Sequence, residues 1–227
     1  MPQNKLRLLD LFCGAGGAAV GYHRAGFDEI VGVDIHAQPR YPFHFVRADA
    51  MEWDDWDFDL VTASPPCQGF SSTRHFPWLR DKAYPDLLGP TRERLKETDI
   101  PFIIENVPNA PMRADVVLCG TMFGIHVIRH RWFEISVPIP ILTPPCNHWG
   151  TVRNKDFWCV VGTGQRNTPE HNAVSWYANR ETASWAMGGL DWMTRKEMVQ
   201  AVPPAMTEFI GKHILSFLQS THDDSVP

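Results

Sequence analysis

The stretch Leu6-Arg-Leu-Leu-Asp10-Leu-Phe-Cys-Gly14-Ala-Gly-Gly17 decides the fold. A short apolar run over residues 6–11 ends in a glycine-rich turn. Small residues then continue through Ala18, Ala19 and Gly21, with Tyr22 and Ala25 at helical spacing. This order reads as strand, turn, helix. Glycines at such a turn let the backbone approach a ligand closely.

Further strands are expected over residues 29–33, 43–46, 58–63 and 102–105, with candidates at 116–118 and 126–135. A helix is expected over residues 90–98, with proline at its first position. Short strands alternating with helices predict an α/β fold: a doubly wound, mostly parallel, Rossmann-like sheet. Asp10, Asp34, Asp49, Ser64–Cys67 and Glu105 all fall at carboxyl ends of these strands, where open α/β sheets bind ligands.

Residues 138–180 break the pattern. They contain Pro138, Pro140, Pro144 and Pro145 and one strand-like run, 157–162. The expected division is a catalytic core over 1–137, an irregular insert over 138–180, a C-terminal segment over 181–219 that completes the core, and a frayed tail over 220–227. Within the C-terminal segment, Thr194-Arg-Lys-Glu197 has capping-box spacing. Pro203-Pro204 opens a helix whose Met206, Phe209, Ile210, Ile214, Phe217 and Leu218 share one face.

The 227 residues are 44% hydrophobic and include nine Trp and thirteen Phe, so a substantial packed core is expected rather than disorder. No run approaches the length of a membrane helix, and the N-terminus lacks a signal-peptide pattern, so a cytoplasmic protein without membrane contact is expected. Five widely spaced cysteines argue against a disulfide framework and leave reduced thiols. The net charge of −5 is neutral on nucleic-acid binding, because steering depends on local fields. Basic residues do gather locally, at Arg74 to Lys82 and at Arg129-His-Arg131.

Asp34 follows Gly14 by 20 residues at the end of the next strand, a place from which an acid can accept hydrogen bonds from ribose hydroxyls. The glycine spacing is not G-x-G-x-x-G, and no G-K-[ST] follows, which disfavours NAD and P-loop nucleotides. A ligand with ribose and adenine but no pyrophosphate fits better, and S-adenosylmethionine is the common one. Ser64-Pro-Pro-Cys-Gln-Gly-Phe-Ser71 leaves the fourth strand, and its prolines put Cys67 on a loop at the ligand edge. Glu105 leaves the fifth strand at that same edge, so a thiol and a carboxyl can converge on one small ring.

With these motifs in place the chain resembles the DNA cytosine-5 methyltransferases of bacteria and phages. It carries Asp10-Leu-Phe-Cys-Gly-Ala-Gly-Gly17, Pro66-Cys67-Gln68, Glu105-Asn106-Val107, Arg129-His130-Arg131 and Gln200-Ala-Val-Pro-Pro204 in that family's order. The resemblance implies methyl transfer from S-adenosylmethionine, leaving S-adenosylhomocysteine, to a cytosine flipped out of double-stranded DNA. Cys67 would attack C6, Glu105 would hold N3 and the exocyclic amine, and Arg129 and Arg131 would support the base and Glu105. On the cofactor side, Phe12 would meet the adenine, Asp34 the ribose and Asp49 the adenine amino group. Asp10, Gly14, Gly16, Ile35, Ala50, Pro66, Gln200 and Val202 would complete that pocket.

Gln68, Ser71, Arg74, Arg153 and Arg166 are the expected DNA contacts. The small insert predicts a readout of about two to four base pairs. A cognate restriction enzyme is a candidate partner, and a monomer is favoured. Two positions depart from the family pattern: Val127 replaces a Gln, and Val199-Gln200 replaces Gly-Asn. An RNA cytosine methyltransferase and a catalytically inactive DNA-binding module are the alternatives. Cys146-Asn-His148 with Cys159 is a candidate zinc site. Only one short ligand pair is present, so no metal is expected.

Overall fold

The structure, a computed structural model, describes residues 5–71, 83–150, 156–161 and 178–223. Seven strands form one sheet in the order β3-β2-β1-β4-β5-β7-β6. They are β1 (Arg7–Leu11), β2 (Glu29–Asp34), β3 (His44–Arg47), β4 (Leu60–Ala63), β5 (Phe102–Asn106), β6 (Val116–Cys119) and β7 (His130–Ile135). The pairings β1–β2, β2–β3, β1–β4 and β4–β5 are parallel, whereas β7 runs antiparallel to both β5 and β6. Strand order reverses between β1 and β4. A crevice opens outside the carboxyl ends of the strands at such a switch point.

Side chains alternate across the sheet and bury both faces, the signature of a doubly wound fold. Leu8 and Ile103 point into a core that includes Ala19 and Tyr22 of α1 (Gly17–Ala25) and Met206, Ile210 and Ile214 of α5 (Pro204–Asp223). Leu9, Leu11 and Ile104 point the other way, onto Leu88 and Leu95 of α2 (Leu88–Lys96). The two helices of the first face lie close together. A Cβ on Gly21 would sit 1.9 Å from Thr207 Oγ1 and 2.2 Å from the Pro204 carbonyl, so only glycine fits there.

A third apolar cluster gathers Ala15, Val127, Val160, Ala183, Ala186, Met187, Leu190 and Met198. It joins α3 (Arg180–Ala186) and α4 (Arg195–Gln200) to the glycine-rich turn. The capping box at α4 forms: Thr194 N donates to Glu197 Oε2 at 2.6 Å, and Glu197 N donates to Thr194 Oγ1 at 3.3 Å.

The structure differs from the sequence reading at several places. Pro90 is the third residue of α2, not the first. The position is tolerated because the first four helical N–H groups lack partners anyway. β7 begins at His130 rather than 126. Residues before it turn to other partners: His126 N donates to Ala186 O, and Trp158 N donates to His126 O.

The expected strand over 157–162 reduces, among the described residues, to an isolated pairing in which Ala178 N donates to Cys159 O. Helix α3 lies outside the elements expected from the sequence; Asn179 caps it by accepting from Thr182 N at 2.8 Å. α5 runs on to Asp223, four residues past the expected fraying point. No helix among the described residues is long and apolar enough to cross a membrane.

Candidate active site

The turn after β1 is built for close approach. Phe12, Gly14 and Gly16 all have positive φ (57°, 50° and 83°). A side chain on Gly14 would meet no atom of the described residues within 4 Å, so they leave open space above the turn's backbone. Asp34, at the end of β2, accepts from Gly14 N at 3.1 Å and from His36 N at 2.8 Å. A carboxylate has about four acceptor sites, so capacity remains for two ligand hydroxyls.

Ile35 follows as an exposed aliphatic surface, 56% accessible, and Asp49 is held by Met51 N donating to its Oδ1 at 2.8 Å. Ala50 is buried beneath it. The Asp34 carboxylate, the apolar Ile35 surface and the open turn therefore stand together on one side of the switch point. The set fits an adenosine-bearing ligand.

Asp10 is fully buried beneath this turn and accepts from Tyr41 Oη at 3.1 Å. Burial raises its pKa most, to about 7, with Tyr41 pulling it back and the Asp34 charge adding to the rise. Val202 packs under the turn, its carbonyl 2.6 Å from where a Cβ on Gly17 would lie. Gln200, by contrast, is exposed at the last position of α4.

On the other side of the switch point, β4 delivers Ser64-Pro-Pro-Cys67. Ser64 N donates to Leu11 O at 3.2 Å, and the chain then turns tightly, with Phe70 N and Ser71 N both donating to Cys67 O at 3.0 Å. Cys67 and Pro66 are half-buried. Glu105, next to the end of β5, is buried and paired with Arg131 Nε at 2.7 Å. The antiparallel register that sets Asn106 against Trp132 brings Arg131 to this edge.

The electrostatics bind these groups into one unit. Burial raises the Glu105 pKa, while Arg131, a Ser64 hydrogen bond and Arg129 pull it back. Burial and the Glu105 charge raise the Cys67 thiol; Arg131 and Arg129 lower it. Arg129 is pulled down to about 9, by burial first and Arg131 second. Its guanidinium donates to Val160 O and Val199 O, yet its Nε has no partner among the described residues. Gln68 Oε1 is likewise buried and has no partner among the described residues. Buried polar atoms are normally satisfied, so these two are open to a ligand's polar edge.

Sequence reasoning missed several supports. Asn106, wholly buried, donates from Nδ2 to Pro65 O at 3.0 Å and so ties the Cys67 loop to β5. Trp192 Nε1 donates to Ala15 O at 2.8 Å across 177 residues, a contact without any local signal. Tyr41, the partner of Asp10, was also passed over. Val127 is buried in the third apolar cluster, which accounts for an apolar residue at that position. Arg74, Arg153 and Arg166 lie outside the described residues. Cys146 and His148 do come together, but with Cys119 and His130 rather than with Cys159.

Residues 6–113 match the family of C-5 cytosine-specific DNA methylases. The chain is 31% identical to the type II methyltransferase M.AgeI of Thalassovita gelatinovora, over 45% of this chain and 28% of that protein. It is 35% identical to the type II methyltransferase M1.HphI of Haemophilus parahaemolyticus, over 29% of this chain and 22% of that protein. The matched stretch thus spans less than a third of these relatives. Among solved structures, Dnmt2 methyltransferase from S. pombe superposes with a TM-score of 0.62 at 14% identity, covering 96% of this chain and 99% of that one. The methyltransferase EhMeth of Entamoeba histolytica gives 0.55 at 13%, covering 97% and 99%. These two likenesses establish a shared fold.

Proposed function

We propose that the chain, whose residues 6–113 match the family of C-5 cytosine-specific DNA methylases, is an S-adenosylmethionine-dependent DNA cytosine-5 methyltransferase. The observation that carries the reading is the buried Glu105–Arg131 pair, electrostatically coupled to Cys67 and set across the switch point from the Asp34 turn. S-adenosylmethionine supplies an electrophilic methyl group when bound. Phe12, Asp34, Ile35 and Asp49 hold its adenosine, and the glycine turn over Asp10 takes its amino-acid end.

C5 of cytosine is a poor nucleophile. Addition of the Cys67 thiolate to C6 makes C5 enamine-like, and a proton shared at N3 stabilises that adduct. Glu105 suits the second task, since burial favours its protonated form. Cys67 is raised too, so its proton must pass to solvent as the bond to C6 forms; Arg129 and Arg131 favour the thiolate at that moment. Once C5 carries the methyl group, loss of the C5 proton to water and expulsion of the Cys67 thiolate from C6 restore the ring and free the enzyme. The base must leave the duplex first, at a cost of a few kcal/mol. Gln68 Oε1 and Arg129 Nε offer an acceptor and a donor to the extruded ring. Residues 138–180 serve as a reduced recognition insert on double-stranded DNA.

Incubation with duplex DNA containing 5-fluorocytosine tests the mechanism. The wild type should form a covalent complex in the presence of S-adenosylmethionine. Cys67→Ser should form none while still binding the cofactor. A Cys67→Ser variant with full methyl transfer would refute the assignment. Trapping on RNA but not on DNA would move the substrate class.

A further inference from the structure

We propose that Cys119, His130, Cys146 and His148 bind a structural zinc ion that clamps the root of the recognition insert to the catalytic sheet. One ligand atom from each of the four lies within 4.8 Å of every other. Cys146 Sγ is 3.5 Å from His130 Nε2, and Cys119 Sγ is 3.5 Å from His148 Nε2. A tetrahedral zinc with Zn–S near 2.3 Å and Zn–N near 2.1 Å sets sulfur and nitrogen about 3.6 Å apart. Cys146 and His148, at 2.9 Å, need only separate slightly to admit the ion. The two imidazole rings stand nearly perpendicular, at 80°, so their Nε2 atoms converge from different directions.

The donor set selects the metal. Two thiolates and two imidazoles in a tetrahedral arrangement suit zinc. Binding releases two thiol protons to solvent, and two thiolates neutralise the dication. The surroundings support the sulfurs: Thr121 Oγ1 lies 3.4 Å from Cys119 Sγ and 3.6 Å from Cys146 Sγ, and itself accepts from Asn147 N at 3.3 Å. All four ligands are spoken for, so this is a closed, structural site rather than a catalytic one.

The site's place in the fold explains its use. Cys119 ends β6 and His130 begins β7, directly opposite each other in the antiparallel register. Residues 136–150 then form no strand or helix, yet carry the chain back to this edge before the insert. Leu142 and Trp149 on this strap are 88% and 62% exposed, and the contact of the Trp149 ring with Phe157 at 5.2 Å is the apolar hold at its far end among the described residues. A zinc at Cys146 and His148 supplies a second anchor. It also fixes His130, whose carbonyl accepts from Arg131 Nη1 at 2.8 Å, one residue from the Glu105 pair.

The test is metal analysis of the purified, reduced full-length chain. About one zinc per chain should be found, or taken up on reconstitution. Cobalt substitution should give tetrahedral ligand-field bands and a thiolate-to-cobalt charge-transfer band. Cys146→Ser and His148→Ala, both at exposed positions, should weaken metal binding by more than about 100-fold, since even outer-shell partners are worth 10–100-fold. Cys159→Ser should keep the metal. His148→Gln provides a second ligand variant if one of these folds poorly by circular dichroism. A chain that takes up no metal after reduction, or ligand variants that retain it fully, would overturn the proposal. None of these readouts depends on methyl transfer, so the zinc site stands or falls apart from the enzymatic reading.

Discussion

Replacing Arg131 with Met removes the partner of a buried carboxylate while keeping most of the side chain's volume. Arg131 Nε lies 2.7 Å from Glu105 Oε1, and both side chains are only 9% exposed. Breaking a buried pair from one side costs about 3–5 kcal/mol, because a desolvated charge is left behind. Glu105 has an escape: burial already raises its pKa, and loss of Arg131 removes the largest influence that lowers it. In the variant the folded state therefore favours the protonated carboxyl more strongly. A carboxyl raised in the fold contributes stability that is present below its unfolded pKa and is lost as pH rises through the folded value.

The deficit of Arg131→Met should thus be greatest on the alkaline side, near the full ~3–5 kcal/mol. It should shrink on acidification towards the ~1 kcal/mol of a lost hydrogen bond. Urea unfolding of both proteins at mildly acidic and mildly alkaline pH measures this directly. Adding Glu105→Gln to the variant should recover stability at alkaline pH but no methyl transfer. A deficit that is the same at both pH values, or below about 1 kcal/mol at the alkaline one, would refute a charged, buried Glu105 held by Arg131.

Two further outcomes follow from the cofactor side. Asp34→Ala should weaken S-adenosylmethionine binding by about 1.5–3 kcal/mol, the range for hydrogen bonds to a charged group, and calorimetry reads it; an unchanged affinity would leave Asp34 serving only Gly14 and His36. Asp10→Asn should flatten the pH dependence of stability between the unfolded carboxylate range and about 7, because the wild type gives up stability across that window as the buried acid is forced to ionise. Denaturant unfolding across the window checks it, and identical slopes in the two proteins would mean that Asp10 ionises without penalty.

What the sequence made legible was what lies local in the chain. The strand–turn–helix at residues 6–25 reads from hydrophobic run and glycine spacing alone, and the Thr194–Glu197 box reads from two residues three apart. The placement of Cys67 and Glu105 at one edge follows from parallel topology, because consecutive strand ends must share that edge. Non-local contacts were less legible. The strand over 157–162 had the composition of a strand but found no partner strand among the described residues, and composition cannot supply one. Trp192 reaches Ala15 only after α3 and α4 have packed.

The four-residue cluster makes the same point chemically. In the chain, Cys119 and His130 are eleven residues apart and resemble no ligand motif, so the sequence alone points to Cys146-Asn-His148, with Cys159 as a third candidate. The antiparallel ladder sets Cys119 opposite His130, and side chains directly opposite one another share a face. The site is thus half encoded in a short motif and half in strand register. A one-residue slip of β7 against both of its neighbours would turn His130 to the other face and dissolve the cluster, and it would displace Arg131 from Glu105 in the same movement.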